Sequence, residues 1–334
     1  MMSLLIQATW LRGDIRSKLS GISKAKFKFI ELTENDLIDA KEDGEDLKAL
    51  LFEYGLRLSI FEISSNLQGI NNNPDKETIK KIDLKFEAAK SLGSKLILLK
   101  STILKKNYLD CSSIERALKY IALRASYFRV RVAYMSIPTD FSIGNVDPAI
   151  KTIESIGSPY LGLAINSLYA LSNGSRPSEL RDVPIHSIFH VQLCDGYVQQ
   201  PASEEQSSHS DMLPGQGNLN LAGFVKVIAA SGYKGNWSLA KIDSKKAKKS
   251  FIDNAYDAYR ALVNLLDEVE RSHPQIKFET PNMPARVYTS GVEFLEFSVD
   301  DESHYQITQI LSSLCFRMER KHISKAVELW RQGS

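Results

Sequence analysis

His190-Val-Gln-Leu-Cys-Asp-Gly196 and Gly235-Asn-Trp-Ser-Leu-Ala-Lys-Ile242 read as two buried strands, joined by a polar loop, by Leu213-Pro-Gly-Gln-Gly217 and by a helix. Each run stays apolar until its C-terminal end. There polar or small residues enter: Gln192 and Asp195 in the first, Ser238 and Ala240 in the second. In parallel α/β proteins ligands sit at that end of the strands, so this segment is expected to carry the site.

Working outward, six more apolar, β-branched runs precede these two, at 4–10, 27–32, 57–63, 95–101, 130–137 and 161–168, with the later pair at 187–193 and 236–242. Helical spacing lies between them. Ile79, Ile82, Phe86 and Ala89 recur at threes and fours, as do Ile252, Ala255, Tyr259, Leu262 and Leu266. Gly55, Gly93 and Gly232 fall where helices should end and turn into strands. Eight βα units over residues 1–270 match a closed (β/α)8 TIM barrel. A doubly wound open sheet is the alternative, but no GxGxxG follows the first strand.

After Glu270 the composition changes. Residues 271–290, with Pro274, Pro281 and Pro284, read as an extended linker. Residues 291–300 alternate like a strand, 305–314 read as a helix, and 326–330 as a second strand-like stretch. A module of this size, 291–334, is below the size that usually folds alone and is expected to pack on the barrel, to pair with another chain or to be part of something longer.

The chain has 334 residues, 43% of them hydrophobic, and a formal charge of +2, which gives no reason to expect a nucleic-acid partner. The basic run Lys245, Lys246, Lys248 and Lys249 reads as a solvated face. Cys111, Cys194 and Cys315 are odd in number and widely spaced, which suggests neither a disulfide framework nor a zinc knuckle. The N-terminus lacks the pattern of a signal peptide, and no apolar run reaches the ~20 residues that span a bilayer. A cytoplasmic protein without a membrane partner is the expectation.

Five stretches in order carry a resemblance: Phe29-Ile-Glu-Leu-Thr-Glu-Asn-Asp36, Gly162-Leu-Ala-Ile-Asn-Ser-Leu-Tyr169, Val191-Gln-Leu-Cys-Asp195, Leu213-Pro-Gly-Gln-Gly217 and Gly235-Asn-Trp-Ser-Leu239. They resemble the xylose-isomerase-like family of sugar-phosphate isomerases and epimerases, and within it bacterial 3-dehydroshikimate dehydratases. Members of that group often continue into a 4-hydroxyphenylpyruvate-dioxygenase-like domain. Glu293-Phe-Leu-Glu-Phe-Ser-Val-Asp300 and Val327-Glu-Leu-Trp-Arg-Gln-Gly333 resemble the start of one. The resemblance thus implies a TIM barrel followed by a partial βαβ module of vicinal-oxygen-chelate type.

It also implies a divalent cation such as Mg²⁺ or Mn²⁺, held by a Glu, an Asp, a Gln or His, and a Glu at the ends of strands five to eight. Those positions here are Met135, Asn166, Gln192 and Ala240. Three anionic ligands have become a thioether, an amide and a methyl group, so the set offers a hard cation two neutral carbonyls and no charge. No metal cofactor is therefore expected.

The resemblance further makes Tyr169 and His209 the catalytic candidates. Tyr169 stands where the family has a His, and with an ordinary pKa of about 10 it is a poor base at neutral pH. Asn166, Gln192, Glu62 and Asp211 are the ligand-binding candidates. Asp211 replaces an Arg, and Ser65 a second one. Lys100 ends strand four; it either forms a Schiff base with a keto substrate, or has the plainer role of pointing outward or pairing with a neighbouring carboxylate. The expectation is a degenerate barrel that has lost metal-dependent catalysis and binds a small molecule or a protein partner, with homo-oligomers possible. The alternative is an active lyase or isomerase with a non-standard ligand set, recruiting for example Asp195, or with a metal-free mechanism.

Overall fold

A computed structural model describes residues 4–8, 11, 13–65, 70, 74–101, 111–136, 146–171, 174–197, 212–240, 251–288 and 290–333. Eight parallel strands close into a barrel in sequence order: β1 (Leu4–Gln7), β2 (Phe29–Thr33), β3 (Arg57–Ser65), β4 (Leu96–Ser101), β5 (Arg131–Ser136), β6 (Leu161–Asn166), β7 (Ile188–Leu193) and β8 (Trp237–Leu239). Closure is made by β1 on β8, with Leu5 opposite Ser238 and Ile6 opposite Leu239. The open-sheet alternative is excluded by that pairing.

Helices fill the crossovers: α1 (Ile15–Lys24), α2 (Glu34–Glu42), α3 (Leu47–Glu53), α4 (Lys76–Ser91), α5 (Cys111–Phe128), α6 (Val146–Ile156), α7 (Ser167–Leu171), α8 (Leu221–Ala230) and α9 (Phe251–Ser272). In α4 the periodic residues Ile82, Phe86 and Ala89 are the buried ones. Its start is fixed by Asp75, which accepts from the Thr78 amide at 2.7 Å. Gly55, Gly93 and Gly232 have φ of 64°, 84° and 96°, the left-handed conformation that lets the chain leave a helix for a strand. Among the described residues no helix is long and apolar enough to cross a membrane.

Alternation along each strand divides the core in two. Ile6, Ile30, Phe61, Ile97, Val132, Val191 and Trp237 pack outward in the cluster shared with the helices. Leu5, Ile60, Leu98, Ala133 and Ala164 form a separate cluster inside the barrel, joined by Phe29 and Phe189. Two residues farther along the same strands come Gln7, Glu62, Lys100, Met135 and Asn166, with Glu31 two after Phe29. The period of two thus sets a mostly polar layer on top of an apolar plug, at the C-terminal ends.

The chain divides into two compact units, Met1–Asn282 and Met283–Ser334. The second contains α10 (Asp301–Ser313) and an antiparallel pair, β9 (Arg317–Lys321) and β10 (Glu328–Arg331). Asp300 caps α10, accepting from Ser303 N at 2.8 Å, which moves the helix start upstream of the expected 305. Residues 291–300, read above as a strand, form none. β9 and β10 pair only with each other, and alternation without a ladder partner does not make a strand. Val292, Phe294 and Phe297 are exposed.

Candidate functional site

Two hydrogen-bonded groups make up the polar layer. Glu31, fully buried on β2, gathers the first: Gln192 Nε2 donates to Oε1 at 2.6 Å, while Ser238 Oγ donates to Oε2 at 2.7 Å. His190 Nε2 lies 3.3 Å from the same Oε2. His190 gets there through a bulge. Leu163 pairs with Ile188 but Ala164 with His190, so β7 holds one residue more than β6 at this point, and both Phe189 and His190 reach the interior. Burial alone would push the Glu31 carboxyl up. Hydrogen bonds from His190 and Ser238, with the charges of His190 and Lys100, carry it below its ordinary value instead.

The second group centres on Glu62. Lys100 Nζ is 2.8 Å from Glu62 Oε2, and the Gln7 side-chain amide donates to the same oxygen. Glu62 lies opposite Leu98 and Lys100 opposite Ser64, two residues farther along β3, so the pair is made diagonally across the two strands in the barrel mouth. Their side chains are 12% and 19% exposed, so the pair is largely withdrawn from water but not sealed. Burial and the nearby Glu31 charge raise the Glu62 pKa, and Lys100 opposes that rise without cancelling it. Of the two readings of Lys100, the carboxylate-paired one is the geometry observed.

The positions where a divalent ion would be held do not fit one. Asn166 spends its carbonyl capping α7, accepting from Leu168 N at 2.9 Å and Tyr169 N at 3.4 Å. Its amide nitrogen donates to Gln192 Oε1 at 3.3 Å, and Gln192 in turn donates to Glu31. Both neutral carbonyls are therefore occupied by internal donors. Met135 lies in the apolar interior cluster and Ala240 offers only a buried methyl. A hard cation needs several oxygens at once, and among the described residues no three His, Cys, Asp or Glu side chains are placed to hold a metal.

Asp195 is not available either. Its Oδ1 accepts from Gly196 N at 2.8 Å and Leu219 N at 3.3 Å, and its Oδ2 from Gly215 N at 2.9 Å and Gly217 N at 3.0 Å. It anchors the Leu213–Gly217 turn to the end of β7 as a structural carboxylate. Tyr169 is half-buried on α7 and packs against the interior cluster. His209 and Asp211 lie outside the described residues. Gln7, Glu31 and His190 escaped the sequence reading as site residues, and Ser238 entered it only as a polar residue at a strand end. The available signal was a lone carboxylate, Glu31, at an inward position of an otherwise apolar strand.

With that geometry in place, the comparison with known proteins is direct. The family described as "Xylose isomerase-like TIM barrel" matches residues 20–269. The chain belongs to that family. Two curated relatives are 3-dehydroshikimate dehydratases. That of Pseudomonas aeruginosa is 29% identical over 331 residues, covering 97% of this chain and 52% of the relative. That of Pseudomonas putida is 28% identical with the same coverage. The chain spans about half the length of these relatives. A solved xylose isomerase-like TIM barrel/4-hydroxyphenylpyruvate dioxygenase fusion protein superposes with a TM-score of 0.82 at 27% identity, over 99% of this chain and 54% of that one. The IolI protein, solved with a zinc atom, shares the fold of the barrel at a TM-score of 0.68 and 17% identity, over 81% of this chain and 99% of its own. Within this xylose isomerase-like barrel, then, the family's strand-end layer is present as architecture, while its donors are tied to one another.

Proposed function

We propose that this barrel is a 3-dehydroshikimate dehydratase-like protein that has lost metal-dependent catalysis and binds a small molecule or a protein partner. The observation that carries this reading is Gln192. It is the one side chain kept from the family's ligand set, and it is closed between Glu31 at 2.6 Å and Asn166 at 3.3 Å. Turning its carbonyl toward an ion breaks two buried hydrogen bonds and leaves Glu31 Oε1 without its donor. Met135 and Ala240 themselves bring no charge to offset the dehydration of the ion. The test is thermal unfolding with Mn²⁺ or Mg²⁺, together with turnover of 3-dehydroshikimate. A negligible shift in Tm and no turnover are expected. A saturable upward shift abolished by Gln192→Ala, or turnover at an ordinary enzymatic rate, overturns the proposal.

A second reading, a metal-free lyase or isomerase, is favoured by one observation: Glu62, with its raised pKa, sits against Lys100 at the barrel mouth. Borohydride trapping of a keto acid on Lys100, read by mass spectrometry, discriminates. Lys100 Nζ is already engaged with Glu62 at 2.8 Å, so no adduct is expected.

A further inference from the structure

Inward positions on β5 follow from the period of two: Met135 and Ala133 lie in the interior cluster, and Arg131, two residues before Ala133, opens the same row at the N-terminal end of the barrel. This is the face opposite the polar layer. The Arg131 guanidinium carbon sits 4.7 Å from the ring centroid of Phe189, which the β7 bulge turns inward. No carboxylate among the described residues pairs with that guanidinium. Beside it lies a cleft of about 590 Å³, the size of a small-molecule site. Ile153, Pro159 and Leu161 give the cleft an apolar wall, and Arg131, Glu154 and Ser187 bring polar groups to it. Ser187 is 5% exposed, yet its hydroxyl has no hydrogen-bond partner among the described residues. Natural interiors leave few such groups unsatisfied.

We propose that this cleft is a second binding site, for a small monocarboxylate with an apolar body. Stacking on Phe189 leaves the edge of the guanidinium free, and its paired N–H groups match the two oxygens of a carboxylate. The Ser187 hydroxyl donates to the same carboxylate, while the hydrocarbon part lies on Ile153, Pro159 and Leu161. One guanidinium fits one negative charge. Glu154 and the carbonyl end of α6, which runs up to Gly157, both disfavour a second. The site stands apart from the strand C-terminal mouth, so it holds whether or not chemistry survives there.

The experiment is calorimetric titration of the full chain at low salt and pH 8 with cyclohexanecarboxylate, with cyclohexylmethanol, its neutral counterpart, and with cyclohexyl phosphate, a dianion. Cyclohexanecarboxylate is expected to bind saturably, the alcohol roughly tenfold more weakly and the phosphate roughly threefold more weakly. R131M weakens the carboxylate roughly tenfold, and R131K, which keeps the charge but loses the fork, roughly threefold. S187A weakens it about threefold. E154Q changes an exposed side chain and tightens the carboxylate about twofold, which a purely structural role for Arg131 against Phe189 does not produce. S187A and E154Q leave the stacked pair in place, so they report on the site even if R131M is poorly folded. In the wild type the His186 imidazole, which lines the cleft, shifts its NMR resonances in step with occupancy. The proposal is overturned by no saturable binding of cyclohexanecarboxylate, by equal or tighter binding of the alcohol or the phosphate, by unchanged affinity in S187A and E154Q or in a folded R131M, or by His186 resonances that stay in place at saturation.

Discussion

Asp195 and Glu31 are both buried carboxylates near the end of the barrel, and their surroundings give them different work. Asp195 faces only backbone amides, four of them, so its charge holds a turn. Asp195→Asn replaces one acceptor oxygen by a donor aimed at other donors. It is expected to cost about 2–3 kcal/mol of unfolding free energy in urea melts, with the barrel still formed. Glu31 is linked to pH. Its carboxyl lies below the ordinary 4.5 when folded, so its contribution to stability is complete above that value and is lost as pH falls through the folded pKa. Glu62 has the opposite sign: its raised pKa means that the fold takes up a proton more readily than the unfolded chain, which favours folding as pH falls. Acid unfolding of Glu31→Gln should therefore show a shallower loss of stability below pH 4.5 than wild type, whereas Glu62→Gln should show a steeper one. Both carboxylates were visible in the sequence as charges in strands. Which one is held ionised was not, because that depends on His190 and Ser238, more than 150 residues away along the chain.

At the scale of the elements, the eight strands were legible from apolar runs bounded by glycine and polar turns, and the structure trims or extends most by a few residues. The bulge in β7 was not legible. A one-residue insertion in a ladder leaves the hydrophobic pattern of the run intact, yet it decides that Phe189 and His190 share the interior. Gly162, opposite on β6, is what accommodates Phe189: a Cβ there would lie 2.4 Å from the ring. Gly162→Ala must displace that ring. A cost of about 1–3 kcal/mol is expected, with a shift of the His190 imidazole resonances as its sign in NMR. Unperturbed His190 resonances would show that the bulge does not depend on Gly162. Residues 291–300 teach the converse lesson: an alternating run, broken only at Phe294-Leu295, gave no strand, because ladders are made by two partners and the sequence of one segment names only itself.

For the molecule as a whole, restoring Met135→Glu, Asn166→Asp and Ala240→Glu together should recover Mn²⁺ affinity before it recovers turnover, measured by titration and by 3-dehydroshikimate assay. The triple change supplies charge but leaves Tyr169, Ser65 and Asp211 as they are. Deleting residues 283–334, which form their own compact unit, should leave the unfolding midpoint of the barrel in place while changing solubility or oligomeric state by light scattering, since the unit exposes Val292, Phe294 and Phe297. A deletion that lowers the midpoint would show that the second unit supports the first. The sequence by itself determined the barrel, because the period of two in the strands and of 3.6 in the helices is written locally and only one closed arrangement buries eight such units. It also determined that two of the strand-end positions carry a methyl group, Ala240, and a thioether, Met135, neither of which binds a hard cation in any fold. What the tertiary structure alone decided is how the remaining polar groups are spent: Gln192 on Glu31 and Asn166, Lys100 on Glu62, and Gln7 Oε1 on nothing among the described residues. Hydrogen bonds in a barrel core are set by register between strands far apart in the chain, and no local pattern encodes them.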